Sequence, residues 1–154
     1  MSRMTVKPHG RNLRRGRHSQ DGQIYHITST TYKRKPIFTN LYSGRCFVSA
    51  IMNESASAET LAYVLMPDHF HWLIQLHKDA DITSSVSRVK SVSAHSINKY
   101  LGGNARVWQR SFYDHALRKE EDLIHVARYI VANPLRAGLV KSLSEYSFWD
   151  AVWV

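Results

Sequence analysis

His69 and His71 stand one residue apart inside the most apolar run of the chain, Tyr63-Val64-Leu65-Met66-Pro67-Asp68-His69-Phe70-His71-Trp72-Leu73-Ile74-Gln75-Leu76. Successive side chains of a strand point to opposite faces, so the two imidazoles share one face and Phe70, Trp72, Ile74 and Leu76 share the other. Pro67-Asp68 divides the run, because proline is poorly tolerated inside a central strand. The pattern predicts two core strands, about residues 61–66 and 69–76, joined by a tight turn. One histidine on a strand is ordinarily a hydrogen-bonded core or surface residue. Two that point the same way, in a strand that otherwise selects Val, Leu and Trp, open a second reading, a metal or phosphate site.

Such a site needs partners, and a later helix offers them. Residues of roughly 120–132 carry an apolar stripe of Leu123, Val126 or Ala127, and Ile130. Beside that stripe Tyr129 and Asn133 are i and i+4, on one side of the helix, with His125 a turn earlier in the same column. A helix packed by the stripe brings Tyr129 and Asn133 to the edge of the sheet. Two imidazoles and an amide oxygen make a three-ligand site with positions left open for a phosphate oxygen or water. A neutral phenol is a weak nucleophile. A divalent cation polarising a phosphate would offset that weakness, and a phosphotyrosine would conserve the bond energy for rejoining. The bland alternatives are a packed tyrosine with its hydroxyl at the surface, and an asparagine ending a helix before Pro134.

The remaining elements must place these residues. Gln23–Tyr32 is rich in β-branched and aromatic residues and predicts a strand, with Ile24, His26, Thr28 and Thr30 on one face. Thr39 or Asn40 caps a helix expected to run to about Ala58, and a second helix covers about 81–101, ended by Gly102-Gly103-Asn104. A strand is expected from Arg106 to about Arg118, and the tail holding Phe148, Trp149 and Trp153 reads as a packing element. The order strand, helix, strand, strand, helix, strand is the ferredoxin-like βαββαβ pattern of an α+β fold with an antiparallel sheet, here followed by an additional C-terminal helix. In that topology the histidine strand lies centrally. The first two helices cover its Phe70 face, leaving the third to cover the histidines.

The bulk numbers bound the partners. The chain has 154 residues, 44% of them hydrophobic, which suits one folded domain (about residues 21–154) behind a basic arm (residues 1–20). Lys+Arg outnumber Asp+Glu by 21 to 12, a net charge of +9, which favours polyanions, nucleic acid first. No apolar run is long enough for a transmembrane helix, no signal-peptide segment follows the basic N-terminus, and the single Cys46 excludes an intrachain disulfide and a thiolate zinc cluster. A cytoplasmic, DNA-associated protein is expected. Candidate DNA contacts are Arg11, Arg14, Arg15 and Arg17 of the arm, Lys33, Arg34 and Lys35 of the first loop, and Arg106, Trp108 and Arg110, where basic and aromatic residues alternate. For the last group the competing reading is a surface strand with one core-facing tryptophan.

Three blocks carry a family resemblance. Met66-Pro67-Asp68-His69-Phe70-His71 resembles the His-hydrophobic-His motif of single-tyrosine HUH transposases. Trp108-Gln109-Arg110-Ser111-Phe112-Tyr113-Asp114-His115 and the block Arg128 to Val140 resemble the later blocks of their REP-associated tyrosine transposase branch. The resemblance implies an HUH domain in which His69 and His71 bind Mg²⁺ or Mn²⁺. Tyr129 would attack single-stranded DNA beside a REP-like hairpin, leaving a 5′-phosphotyrosine and a free 3′-OH. Asn133 stands where insertion-sequence relatives place a glutamine as third ligand. The family includes monomers and homodimers, and bacterial hosts are implied. The alternative from a different class is a domesticated hairpin-binding protein with little or no transposition activity. A hydrolase using water would leave Tyr129 without a role.

Overall fold

The structure is a computed structural model that describes residues 8–9, 22–117 and 120–153. Its centre is a sheet in the order β1-β5-β2-β4-β3-β6, every neighbouring pair antiparallel. The strands are β1 (Pro8–His9), β2 (Ile24–Thr30), β3 (Ala58–Met66), β4 (His69–Leu76), β5 (Phe112–Leu117) and β6 (Trp149–Ala151). The inner four, β5-β2-β4-β3, are the expected ferredoxin-like arrangement, with β2 and the histidine strand β4 in the middle. The two short outer strands were not foreseen. β1 uses part of the basic arm to extend β5, and β6 turns the aromatic tail into an edge strand on β3.

Helices α1 (Leu41–Met52) and α2 (Ile82–Leu101) cover one face. Alternation along β4 sends Phe70, Trp72, Ile74 and Leu76 into this layer, where they pack with Phe47, Ile51, Val86, Val89 and Ile97. Cys46 is a buried member of the same core. Asn40 caps α1 reciprocally with Ser43, its side chain accepting from the Ser43 amide at 2.8 Å. The helix stops at Met52, about six residues short of the expected end. Glu54 leaves the helix to be buried against α2, where Arg88 Nε donates to its carboxylate at 3.0 Å and 3.1 Å. The Ser57 and Ala58 amides then close a turn onto the Glu54 carbonyl, and β3 starts earlier than the apolar pattern suggested. Asp81 caps α2, and Gly102 (φ +69°) ends it in the left-handed conformation that glycine adopts without strain.

The expected strand 106–118 is cut to Phe112–Leu117. Ahead of it, only a bridge between Thr31 and Trp108 joins the sheet. Lys90 Nζ donates to the carbonyls of Gln109 and Ser111, both at 2.9 Å, so those groups are satisfied without a ladder. Period-two alternation therefore fails over Arg106–Arg110.

Helix α3 (Glu120–Val131) covers the opposite face. Leu123, Val126, Ala127, Ile130 and Val131 pack on Leu61, Ala62, Val64, Met66, Leu73 and Leu117. Ala132 separates it from a short helix α4 (Asn133–Arg136), so Asn133 opens a new turn rather than continuing α3. No helix among the described residues is long and apolar enough to cross a membrane.

Candidate active site

The α3 face of the sheet is apolar on one side and polar on the other. Register places His71 beside Thr28 on β2, His69 beside Thr30, and His26 between Leu73 and His115 of β5. Directly paired residues share a face, so His26, Thr28, His69, His71 and His115 form one polar field next to the apolar patch under α3. The ring centroids of His69 and His71 are 5.2 Å apart, and those of His26 and His71 are 5.1 Å apart.

Each candidate ligand is held by its Nδ1. His69 Nδ1 donates to Asp68 Oδ1 at 2.7 Å. A carboxylate only accepts, so the Nδ1 of His69 carries a proton and Nε2 is the ring nitrogen outside this contact. His71 Nδ1 is 2.9 Å from His26 Nε2 and 3.0 Å from Thr28 Oγ1. Neither Nε2 has a hydrogen-bond partner among the described residues. Metal-bound histidines are held in this way, the far nitrogen fixed by a neighbour and the near one free. Burial, reinforced by His26, His69 and Arg136, holds His71 well below the usual imidazole range. Burial, with His115 adding to it, lowers His26 to about 4. Both rings are neutral at pH 7, the form in which imidazole ligates.

Tyr129 lies on the outer side of α3 and is 56% exposed. The guanidinium of Arg136 sits 3.9 Å from the ring centroid, and the same charge reaches His71. Arg136 is thus the link between the tyrosine and the histidines. Tyr129 makes no hydrogen bond to His69, His71 or Asn133 among the described residues, and the Asn133 side chain makes none to the histidine pair. Among those residues no group of three or more His, Cys, Asp or Glu is arranged to hold a metal ion.

The expected DNA contacts divide into three groups. Arg11, Arg14, Arg15 and Arg17 lie outside the described residues. Lys33, Arg34, Lys35, Arg106 and Arg110 are exposed, and Lys33 and Arg106 both approach the Tyr32 ring, at 5.3 Å and 4.7 Å. Trp108 is corrected: it is the core-facing tryptophan. It is buried, stacks on Phe38 at 5.1 Å and donates from Nε1 to Ser93 Oγ, so its ring is not offered to a base. Sequence reasoning grouped His26 and Thr28 on one face but did not assign them to the site. The signal was there, since the ferredoxin-like pattern sets its first and third strands side by side; only the register was missing. In the sequence Asp68 reads as a turn residue. Arg136 figured only within a block of resemblance.

A family model described as "Transposase IS200 like" matches residues 19–133, a span that includes His69, His71, Tyr129 and Asn133. The chain belongs to the IS200-like transposase family. Among its relatives is the REP-associated tyrosine transposase of Escherichia coli (strain K12), 27% identical over 128 residues, which cover 82% of this chain and 74% of that one. The structure of a REP-associated tyrosine transposase bound to a REP hairpin superposes with a TM-score of 0.71 at 27% identity, covering 86% of this chain and 79% of that one. A Deinococcus radiodurans R1 protein of known structure shares the fold at 18% identity and a TM-score of 0.53, covering 75% of this chain and 94% of its own.

Proposed function

We propose that this IS200-like transposase cuts and rejoins single-stranded DNA beside REP-like hairpins through a covalent bond to Tyr129. The observation that carries the proposal is the paired histidine geometry: both Nδ1 atoms are engaged, and both Nε2 atoms are left for a ligand. The hairpin follows from the relative whose structure contains one. His69 and His71, with the Asn133 amide as third ligand, would hold Mg²⁺ or Mn²⁺, which when bound supplies a Lewis acid for the scissile phosphate.

The chain's own residues do the rest. Arg136, against the Tyr129 ring and close to His71, draws a phosphate toward both. The Tyr129 oxygen bonds to phosphorus as the bond to the 3′ oxygen breaks, giving a 5′-phosphotyrosine and a strand ending in 3′-OH. The phenolic proton leaves to solvent or to the departing oxygen. A 3′-OH attacking the phosphotyrosine reverses the step, restoring a phosphodiester and the phenol. No bond energy is lost to water, as strand transfer requires.

Incubating the protein with an end-labelled single-stranded hairpin oligonucleotide and Mn²⁺ should yield a covalent adduct that survives denaturation. Tyr129→Phe should abolish both adduct and cleavage while hairpin affinity stays within about twofold, since one exposed hydroxyl adds little to binding a whole strand. A wild-type protein that binds the hairpin tightly but never cleaves it would instead be a hairpin-binding protein.

A further inference from the structure

Asp68 faces two ways. Its Oδ1 accepts from His69 Nδ1 at 2.7 Å, and its Oδ2 accepts from Arg34 Nε at 3.1 Å. Arg34 belongs to the basic loop Lys33–Lys35, where Lys33 and Arg34 both have φ of +55°, a region that non-glycine residues seldom enter. Strain of this kind persists only where surrounding contacts enforce it. Here Thr31 Oγ1 donates to the carbonyls of Lys35 (2.7 Å) and Asp68 (3.2 Å), the Thr31 amide donates to the Asp68 carbonyl (2.9 Å), and the Phe38 amide donates to that of Pro67 (3.0 Å). The loop and the turn that precedes His69 are therefore one piece.

Exposure grades along this chain of groups. The Arg34 side chain is 59% exposed, that of Asp68 28% and that of His69 16%. The guanidinium is open to an anion, with Lys33 and Lys35 exposed beside it. An ion pair this exposed is weak, so a phosphate competes well for Arg34. A carboxylate relieved of its arginine is a stronger acceptor, and a stronger acceptor at Nδ1 makes an imidazole a better ligand through Nε2.

We propose that Asp68 is a positioning residue that couples the basic loop to the metal centre: a single-strand phosphate that takes Arg34 releases Asp68 to grip His69, and so tightens metal binding at His69 and His71. This rests on the metal reading of those two histidines given above. The coupling is reciprocal, so bound metal favours the strand by the same factor.

Mn²⁺ titration followed by electron paramagnetic resonance tests it, with and without an unstructured thymidine oligonucleotide. Long-range ¹H–¹⁵N NMR of the metal-free protein reads the His69 tautomer. In the wild type His69 should carry its proton on Nδ1, and the oligonucleotide should tighten Mn²⁺ binding. Asp68→Ala should lose that tautomer and weaken Mn²⁺ binding about 10- to 100-fold. Asp68→Asn, whose amide oxygen still accepts, should restore the tautomer. Arg34→Gln should bind Mn²⁺ more tightly than wild type without DNA and gain nothing further from it. Wild-type tautomer and Mn²⁺ affinity in Asp68→Ala would overturn the proposal, as would undiminished oligonucleotide coupling in Arg34→Gln. A wild-type protein that binds no Mn²⁺ would overturn the metal reading itself.

Discussion

Burial sets the protonation of the imidazoles before any ligand arrives. His26 is lowered to about 4, chiefly by burial, and His71 is lowered well below its ordinary value by the same cause. In the unfolded chain both titrate near 6.5. Below that pH the unfolded state takes up protons that the folded state refuses, so stability is full above about 6.5 and falls as pH drops toward 4. Replacing His26 with Gln removes one of these groups. Urea unfolding of the metal-free protein at pH 7 and pH 5 should show a smaller loss between the two for His26→Gln than for wild type. At this scale the sequence was informative about the candidate ligands and silent about their supports. The i, i+2 spacing put His69 and His71 on one face without any structure. That His26, Thr28 and Asp68 hold their Nδ1 atoms depends on cross-strand register and on a turn rotamer, neither of which leaves a periodic trace.

Among the elements, the ones with long apolar periods behaved as expected, and the ones interrupted by a single polar residue did not. α2 occupies almost the predicted span because Asp81 and Gly102 mark its ends. α1 ends early because Glu54 is recruited by Arg88 from another helix, a tertiary event. The strand through Arg106 is replaced by loop because Lys90 claims two of its carbonyls. The same dependence on distant contacts gives a stability prediction. Gly44 is the fourth residue of α1, inside a helix where alanine ordinarily stabilises by up to about 1 kcal/mol. A Cβ there would collide with the ring of Phe148, which precedes β6. Gly44→Ala should therefore destabilise the protein by about 1–3 kcal/mol, as overpacked sites do. Thermal unfolding should show a melting temperature lowered by several degrees; an unchanged or raised one would mean that Phe148 is free to move aside.

For the whole molecule, a net charge of +9 on 154 residues predicts binding to DNA that weakens steeply with salt. Each arginine that contacts a phosphate of a single strand adds about 0.7 to the slope of log affinity against log salt. Replacing Arg11, Arg14, Arg15 and Arg17 together by Ala should lower the slope by about 2–3 if the arm holds the strand, measured by fluorescence anisotropy across a salt series. An unchanged slope would leave the exposed Lys33–Lys35 loop and Arg106 as the electrostatic surface. The fold class was legible because six elements in the order βαββαβ admit few topologies, and the two edge strands escaped because two or three residues carry no readable period. The proposed strand transfer runs through one phenol, that of Tyr129. Tyr113 is paired with Thr28 and shares the histidine face, so it is the competing tyrosine. Mass spectrometry of the trypsin-digested covalent adduct decides between them. The nucleotide should lie on the peptide that contains Tyr129; an adduct on Tyr113, or cleavage with no protein-bound nucleotide, would contradict the mechanism.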